Sequence, residues 1–151
     1  MEPYITRLRE RGIDAFALRL PRGAAERATR ALREQVGTEL PNAVIGGHSY
    51  GGRVASMVAA ETTPAGLVLL SYPLHRPGHP DELRTEHWGE IACPTLLLSG
   101  DRDQFARLDL LEASAKRLRR AELHVYPGIG HGLQRIADDV ADRIASFARS
   151  V

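Results

Sequence analysis

Three side chains in this 151-residue chain could together carry out nucleophilic acyl transfer, and they occur in the order Ser49, Asp103, His131. Ser49 lies in Gly47-His48-Ser49-Tyr50-Gly51, a G-x-S-x-G pattern. An apolar stretch precedes it and an Ala/Val-rich stretch follows it. A serine placed between a strand and a helix in this way sits on a turn so tight that its own backbone is strained. The reading has side chains at Gly47 and Gly51 colliding with the neighbouring strand and helix. The Ser49 hydroxyl is then held over the positive end of the following helix. The backbone N–H of Tyr50 is placed to stabilise an oxyanion. A phosphate-cradling turn is the competing use of such glycines, but neither G-x-G-x-x-G nor a G-K-[ST] ending is present.

A serine hydroxyl is a poor nucleophile until a base removes its proton. Tyr126-Pro127-Gly128-Ile129-Gly130-His131-Gly132 places a histidine between glycines just after an apolar run. That position suits a general base that later acts as general acid. Ser99-Gly100-Asp101-Arg102-Asp103 offers two carboxylates. Asp103 is the better candidate because it lies further into its loop, while Asp101 reads as a turn or capping residue. His48, the variable residue before the nucleophile, shapes the elbow and is a candidate pocket residue. His75, His79 and His87 fall in a Pro-rich stretch, but no helical H-x-x-x-H or carboxylate group accompanies them, so no metal and no cofactor are expected.

These side chains need a frame. Short apolar runs at 13–20, 43–47, 66–72, 94–99 and 122–126 read as strands. Those at 67–70 and 95–98 are almost wholly apolar, as strands buried on both faces are. Between them, residues 2–11, 24–36, 50–61, 105–119 and 133–149 carry apolar side chains at helical spacing. Gly12 and Gly37 follow two of these stretches as stop signals. Alternating strand and helix predict an α/β fold around a mostly parallel sheet of about five strands, read as a single domain over 1–151. Ligands on such sheets bind beyond the carboxyl ends of the strands, where the three candidates fall.

Composition narrows the partners. Lys and Arg number 20 against 19 Asp and Glu, so there is no charge excess to draw nucleic acid or an anionic membrane. The single cysteine, Cys93, permits neither an intrachain disulfide nor a thiolate cluster. The first residues lack the apolar core of a secretory signal, and no apolar run approaches a bilayer span. A soluble, cytoplasmic protein acting on a small-molecule ester is expected.

The chain resembles the α/β-hydrolase superfamily, and within it the short dienelactone-hydrolase-like proteins without a large cap. The resemblance rests on GGHSYGGRVAS (46–56), LVLLSYPLHRPGHPDELRTEHW (67–88), LLLSGDRDQF (96–105) and GIGHG (128–132). It implies a serine esterase working through Ser49, His131 and Asp103, with Tyr50 as oxyanion donor. It also implies Tyr72, Leu74 and His75 as pocket residues. Superfamily members normally have about three strands before the first helix read here, and the loop after the third supplies a second oxyanion donor. The resemblance therefore implies a truncated fold without those N-terminal strands and that loop. Either the start lies further upstream, or the edge is rearranged or filled by a strand from a second copy in a homo-oligomer. A non-catalytic binding or scaffold protein on the truncated fold is the alternative reading.

Overall fold

Two consecutive apolar strands, each buried on both faces, form the centre of the molecule. The computed structural model describes residues 1–151. Its sheet contains β1 (Val44–His48), β2 (Gly66–Leu70), β3 (Thr95–Gly100) and β4 (Ala121–Tyr126), all parallel and in the order 1-2-3-4. Helices α1 (Glu2–Glu10) and α2 (Ala25–Val36) precede β1, α3 (Tyr50–Glu61) joins β1 to β2, α4 (Leu108–Ala115) joins β3 to β4 and α5 (Ala137–Ser150) follows β4, while β2 and β3 are joined without an α-helix.

The side-chain alternation of a strand divides β2 and β3 between two cores. Leu67, Leu69 and Leu97 pack with Ala28, Leu32, Val54, Val58 and Leu111 from α2, α3 and α4. Val68, Leu70, Leu96 and Leu98 point the other way, into Tyr4 and Leu8 of α1 and Val140 and Ile144 of α5. The apolar stripes expected on the helices thus have definite destinations. α4 is shorter than the expected 105–119 because residues 103–107 are bound up in the turn that follows β3.

One expected strand does not form. Residues 13–20 are irregular, so the sheet has four strands rather than about five. The physical reason is pairing. No backbone group of residues 14–23 bonds to another backbone group, and β1 has a strand on one side only, β2. Ile13 and Ala15 pack onto one core and Leu20 onto the other, whereas Phe16 is 67% exposed. Apolar composition is necessary for a buried strand but does not supply its neighbour. No helix is long and apolar enough to cross a membrane.

A polar clip closes the far side of α3. The Ser56 hydroxyl is fully buried and donates to the Arg53 carbonyl, 2.8 Å away. Its oxygen therefore accepts from His87 Nε2–H at 2.8 Å. Burial pushes the His87 imidazole below its ordinary value, and the cations of Arg53 and Arg117 act in the same direction against the opposing Glu86.

The fold makes two predictions. Amide hydrogen exchange over residues 14–23 should be fast, while Leu67–Leu70 and Leu96–Leu98 exchange only on global opening. Equal protection of the two groups would contradict the pairing described. The second concerns pH. The unfolded chain takes up a proton at His87 near about pH 6.5, before the folded chain does. Stability should therefore fall as pH drops through that value, because the unfolded state binds more protons there. His87→Gln keeps an N–H for Ser56 but cannot titrate, so urea midpoints measured against pH should decline less steeply in this variant.

Candidate active site

The turn from β1 into α3 brings helix and strand unusually close. A Cβ on Gly47 would lie 2.6 Å from the Gly51 carbonyl carbon, and one on Gly52 would lie 2.7 Å from the Gly47 carbonyl oxygen. Gly46 is also constrained, by the Val68 carbonyl oxygen at 2.4 Å from its would-be Cβ. The expectation for Gly51 is corrected: a Cβ there meets nothing within 4 Å. The steric need at the start of the helix falls on Gly52, one residue beyond the five-residue pattern. α3 leaves the strand so sharply that a side chain at position 52, and not one at 51, would point back onto β1.

Ser49 bears the strain of this turn, with φ 52° and ψ −117°. Its N–H donates to the Leu70 carbonyl at 2.8 Å, which ties the turn to the end of β2. Tyr50 is the first residue of α3, and its N–H has no acceptor in the protein, as expected of a first-turn donor. The Tyr50 hydroxyl reaches away from Ser49 to the carbonyls of Pro21 and Gly23.

The loops after β3 and β4 deliver the other two groups. His131 Nε2 lies 2.9 Å from Ser49 Oγ. His131 Nδ1 lies 2.8 Å and 3.0 Å from the two carboxylate oxygens of Asp103. A carboxylate can only accept, so Nδ1 carries the hydrogen, and the neutral imidazole accepts the Ser49 hydroxyl at Nε2. The Asp103 side chain is fully buried, while the His131 side chain retains 23% exposure. Asp103 Oδ1 also accepts the Phe105 N–H at 2.8 Å. A serine, an imidazole and a buried carboxylate in this chain of bonds can generate a nucleophile and hold the resulting imidazolium.

Asp101 has the turn role anticipated for it, accepting the Gly128 N–H at 2.7 Å. The Arg102 N–H donates to the Ile129 carbonyl at 2.9 Å. A Cβ on Gly100 would stand 2.0 Å from that same carbonyl oxygen, so the close seating of the histidine loop requires glycine there.

Three residues expected to line a pocket belong instead to the core. Tyr72 is 2% exposed and donates its hydroxyl to the Arg84 carbonyl at 2.6 Å, and Leu74 is fully buried. His75 is 4% exposed, with both ring nitrogens in use. Its Nδ1–H donates to the Arg76 carbonyl at 2.9 Å, and its Nε2 accepts the Arg107 N–H at 3.1 Å. With the His75 N–H on the Phe105 carbonyl, it brackets the loop that carries Asp103. These residues support the site from beneath and do not face its opening. His48, the fourth pocket candidate, is half-buried, and its Nε2 meets the His131 carbonyl at 2.9 Å. Burial pushes its imidazole below the ordinary value.

Phe105 was not foreseen from the sequence. Its ring packs against the His131 ring, 4.5 Å between centroids. Its position two residues past Asp103 is the only available signal, and one aromatic residue in a loop has no periodicity to betray it. A surface groove of about 370 Å³ lies between α4 and β4 and does not include Ser49. No three or more His, Cys, Asp or Glu side chains gather in a way that could hold a metal ion.

Comparison with known proteins agrees with this frame. The family described as alpha/beta hydrolase domain matches residues 3–149. Among solved structures, the fold is similar to a predicted CIB-like hydrolase from Thermoplasma acidophilum, with a TM-score of 0.70 and 19% identity over 86% of this chain. The chain spans 62% of that protein's length. It is also similar to a thermophilic esterase from Thermogutta terrifontis, with a TM-score of 0.72 and 19% identity, covering 97% of this chain and 85% of that one. A monoacylglycerol lipase from Paleococcus ferrophilus has a TM-score of 0.72 at 13% identity, covering 85% and 76%.

The two helix glycines give a paired prediction. Gly51→Ala should leave stability within about 0.5 kcal/mol of the parent, because the half-buried site is unobstructed. Gly52→Ala should cost about 1–3 kcal/mol, because backbone must move to admit the methyl group. Urea denaturation of the two variants would refute the assignment if Gly51→Ala proved the more damaging.

Proposed function

The chain belongs to the alpha/beta hydrolase family, and we propose that it is a serine hydrolase cleaving small carboxylic esters or thioesters through an acyl-enzyme on Ser49. The observation that carries the proposal is the unbroken line of hydrogen bonds from Ser49 Oγ through His131 to Asp103.

In the first half-reaction His131 Nε2 takes the Ser49 proton as Oγ bonds to the substrate carbonyl carbon. The resulting oxyanion is stabilised by the Tyr50 N–H and by the positive end of α3. Asp103 stabilises the imidazolium and keeps its Nδ1–H directed. His131 then gives its proton to the departing alkoxide or thiolate, and the carbon–oxygen or carbon–sulfur bond breaks. A water molecule, deprotonated by the same nitrogen, releases the acid and restores Ser49. The solved relatives described as an esterase and as a lipase fit chemistry of this class.

A fluorophosphonate probe followed by mass spectrometry tests the proposal. The expected adduct is on Ser49, absent in Ser49→Ala and lost in His131→Ala. Asp103→Asn, which favours the wrong imidazole tautomer, should slow turnover about 10⁴-fold. A chain that stays unlabelled under conditions where a control esterase reacts is a binding protein on this fold and not a hydrolase.

A further inference from the structure

The loop that carries His131 is glycine-rich and is tied to the body at few points. Before the histidine it is held by the Gly128 N–H on Asp101 and by the Ile129 carbonyl on Arg102. From Gly130 to Gly132 no main-chain group bonds to another main-chain group. The single main-chain bond in this stretch is the one between the His131 carbonyl and His48 Nε2, at 2.9 Å. A carbonyl can only accept, so His48 donates, with its hydrogen on Nε2.

We propose that His48 is a positioning residue for His131, donating Nε2–H to the His131 carbonyl and so registering the base over Ser49. This inference rests on the reading of Ser49 and His131 as nucleophile and base. The bond is effective because His48 is the chain neighbour of Ser49. His48 ends β1 and is bonded in sequence to Ser49, so one residue sets the serine and its neighbour sets the base. The two rings stand 5.0 Å apart between centroids and are tilted by 59°. Phe105 lies against the His131 ring as well. The base is thus held by two ring contacts, by Asp103 at its Nδ1 and by His48 at its main chain.

Two other roles for His48 fit less well. As a second base it would need a free ring nitrogen facing Ser49, yet the Ser49 hydroxyl is bonded to His131 and the His48 Nε2 is committed to a carbonyl. As a permanent cation it would oppose the imidazolium that His131 must become. Burial is the dominant influence and pushes its imidazole down; the carbonyl bond is the main opposing influence, with His131, Asp103 and the N-terminal amino group acting less. A neutral ring supplies the N–H without adding a charge.

The test uses His48→Gln, His48→Phe and His48→Asn in the full chain. Glutamine places an N–H at a similar reach, phenylalanine keeps a ring without the donor, and asparagine falls a ring's depth short of the carbonyl. For hydrolysis of p-nitrophenyl acetate, the Phe and Asn variants should lose about 10–100-fold in kcat with KM little changed, the size expected when a base is slightly misplaced. Gln should recover most of the loss. In parallel, the side-chain nitrogen NMR signals of His131 should report a fixed Nδ1–H tautomer in the parent and in Gln, and an averaged one in Phe and Asn. This readout needs no turnover. A parent chain that fails to label at Ser49 defeats the hydrolase reading alone. Unchanged His131 signals and unchanged kcat in the Phe and Asn variants, or a Gln variant as impaired as Phe, would overturn the role of His48. If Phe does not fold, Asn against Gln decides the matter.

Discussion

The contact between Gly52 and the carbonyl of Gly47 is the constraint on which the other features depend. Helix α3 can begin directly after β1 only if its first turn folds back against the strand, and any side chain at these two positions would hold them apart. With the contact made, the connecting residue has no choice of backbone conformation, and Ser49 is forced to positive φ. The cost of such a conformation is of order 1–3 kcal/mol. It is offset by neighbours that are already fixed, namely the Leu70 carbonyl below and the apolar face of α3 buried against Leu67 and Leu69. The hydroxyl then projects past the strand end together with an unbonded N–H at the head of the helix.

A hydroxyl in that place is useful only if a base is brought to it with comparable accuracy, and the sheet order does this. Because the strands run 1-2-3-4 in parallel, consecutive loops leave the same edge side by side. The loop after β2 supplies His75, which brackets the next loop. The loop after β3 buries Asp103 and seats the histidine loop on Gly100. The loop after β4 brings His131. Each loop is held by the one before it, so the geometry accumulates across the sheet from a rigid centre.

Much of this was legible in the sequence because it follows from short-range chemistry. The glycines about Ser49, the apolar runs of β2 and β3, and the histidine between glycines each state a local requirement. What was not legible depends on partners distant in the chain. Residues 13–20 have the composition of a strand, but whether they pair depends on a neighbouring strand that composition cannot reveal. Tyr72, Leu74 and His75 follow β2 at the sheet edge that carries the site, yet the path of the chain after Ser71 turns them into the core. Gly51 has the pattern position and Gly52 has the contact, a distinction of one residue in helix phase. The bond from His48 to the carbonyl of residue 131 has no sequence signal, since a main-chain acceptor can be any residue.

The position of β4 has a further consequence. It is the outermost strand on its side of the sheet, its first two residues are exposed, and only Tyr126 at its end is buried. Ser49 also follows an edge strand, β1, but it is anchored directly to α3, a helix sunk in the larger core. Local opening at the β4 edge would therefore withdraw the histidine while leaving the serine turn intact. Heat or mild denaturant acting on such an arrangement would produce a population that still looks folded to a probe of its helices but has lost the bond between His131 and Ser49. The durability of the site is then set by the β4 edge, and loss of its geometry would run ahead of loss of the helices.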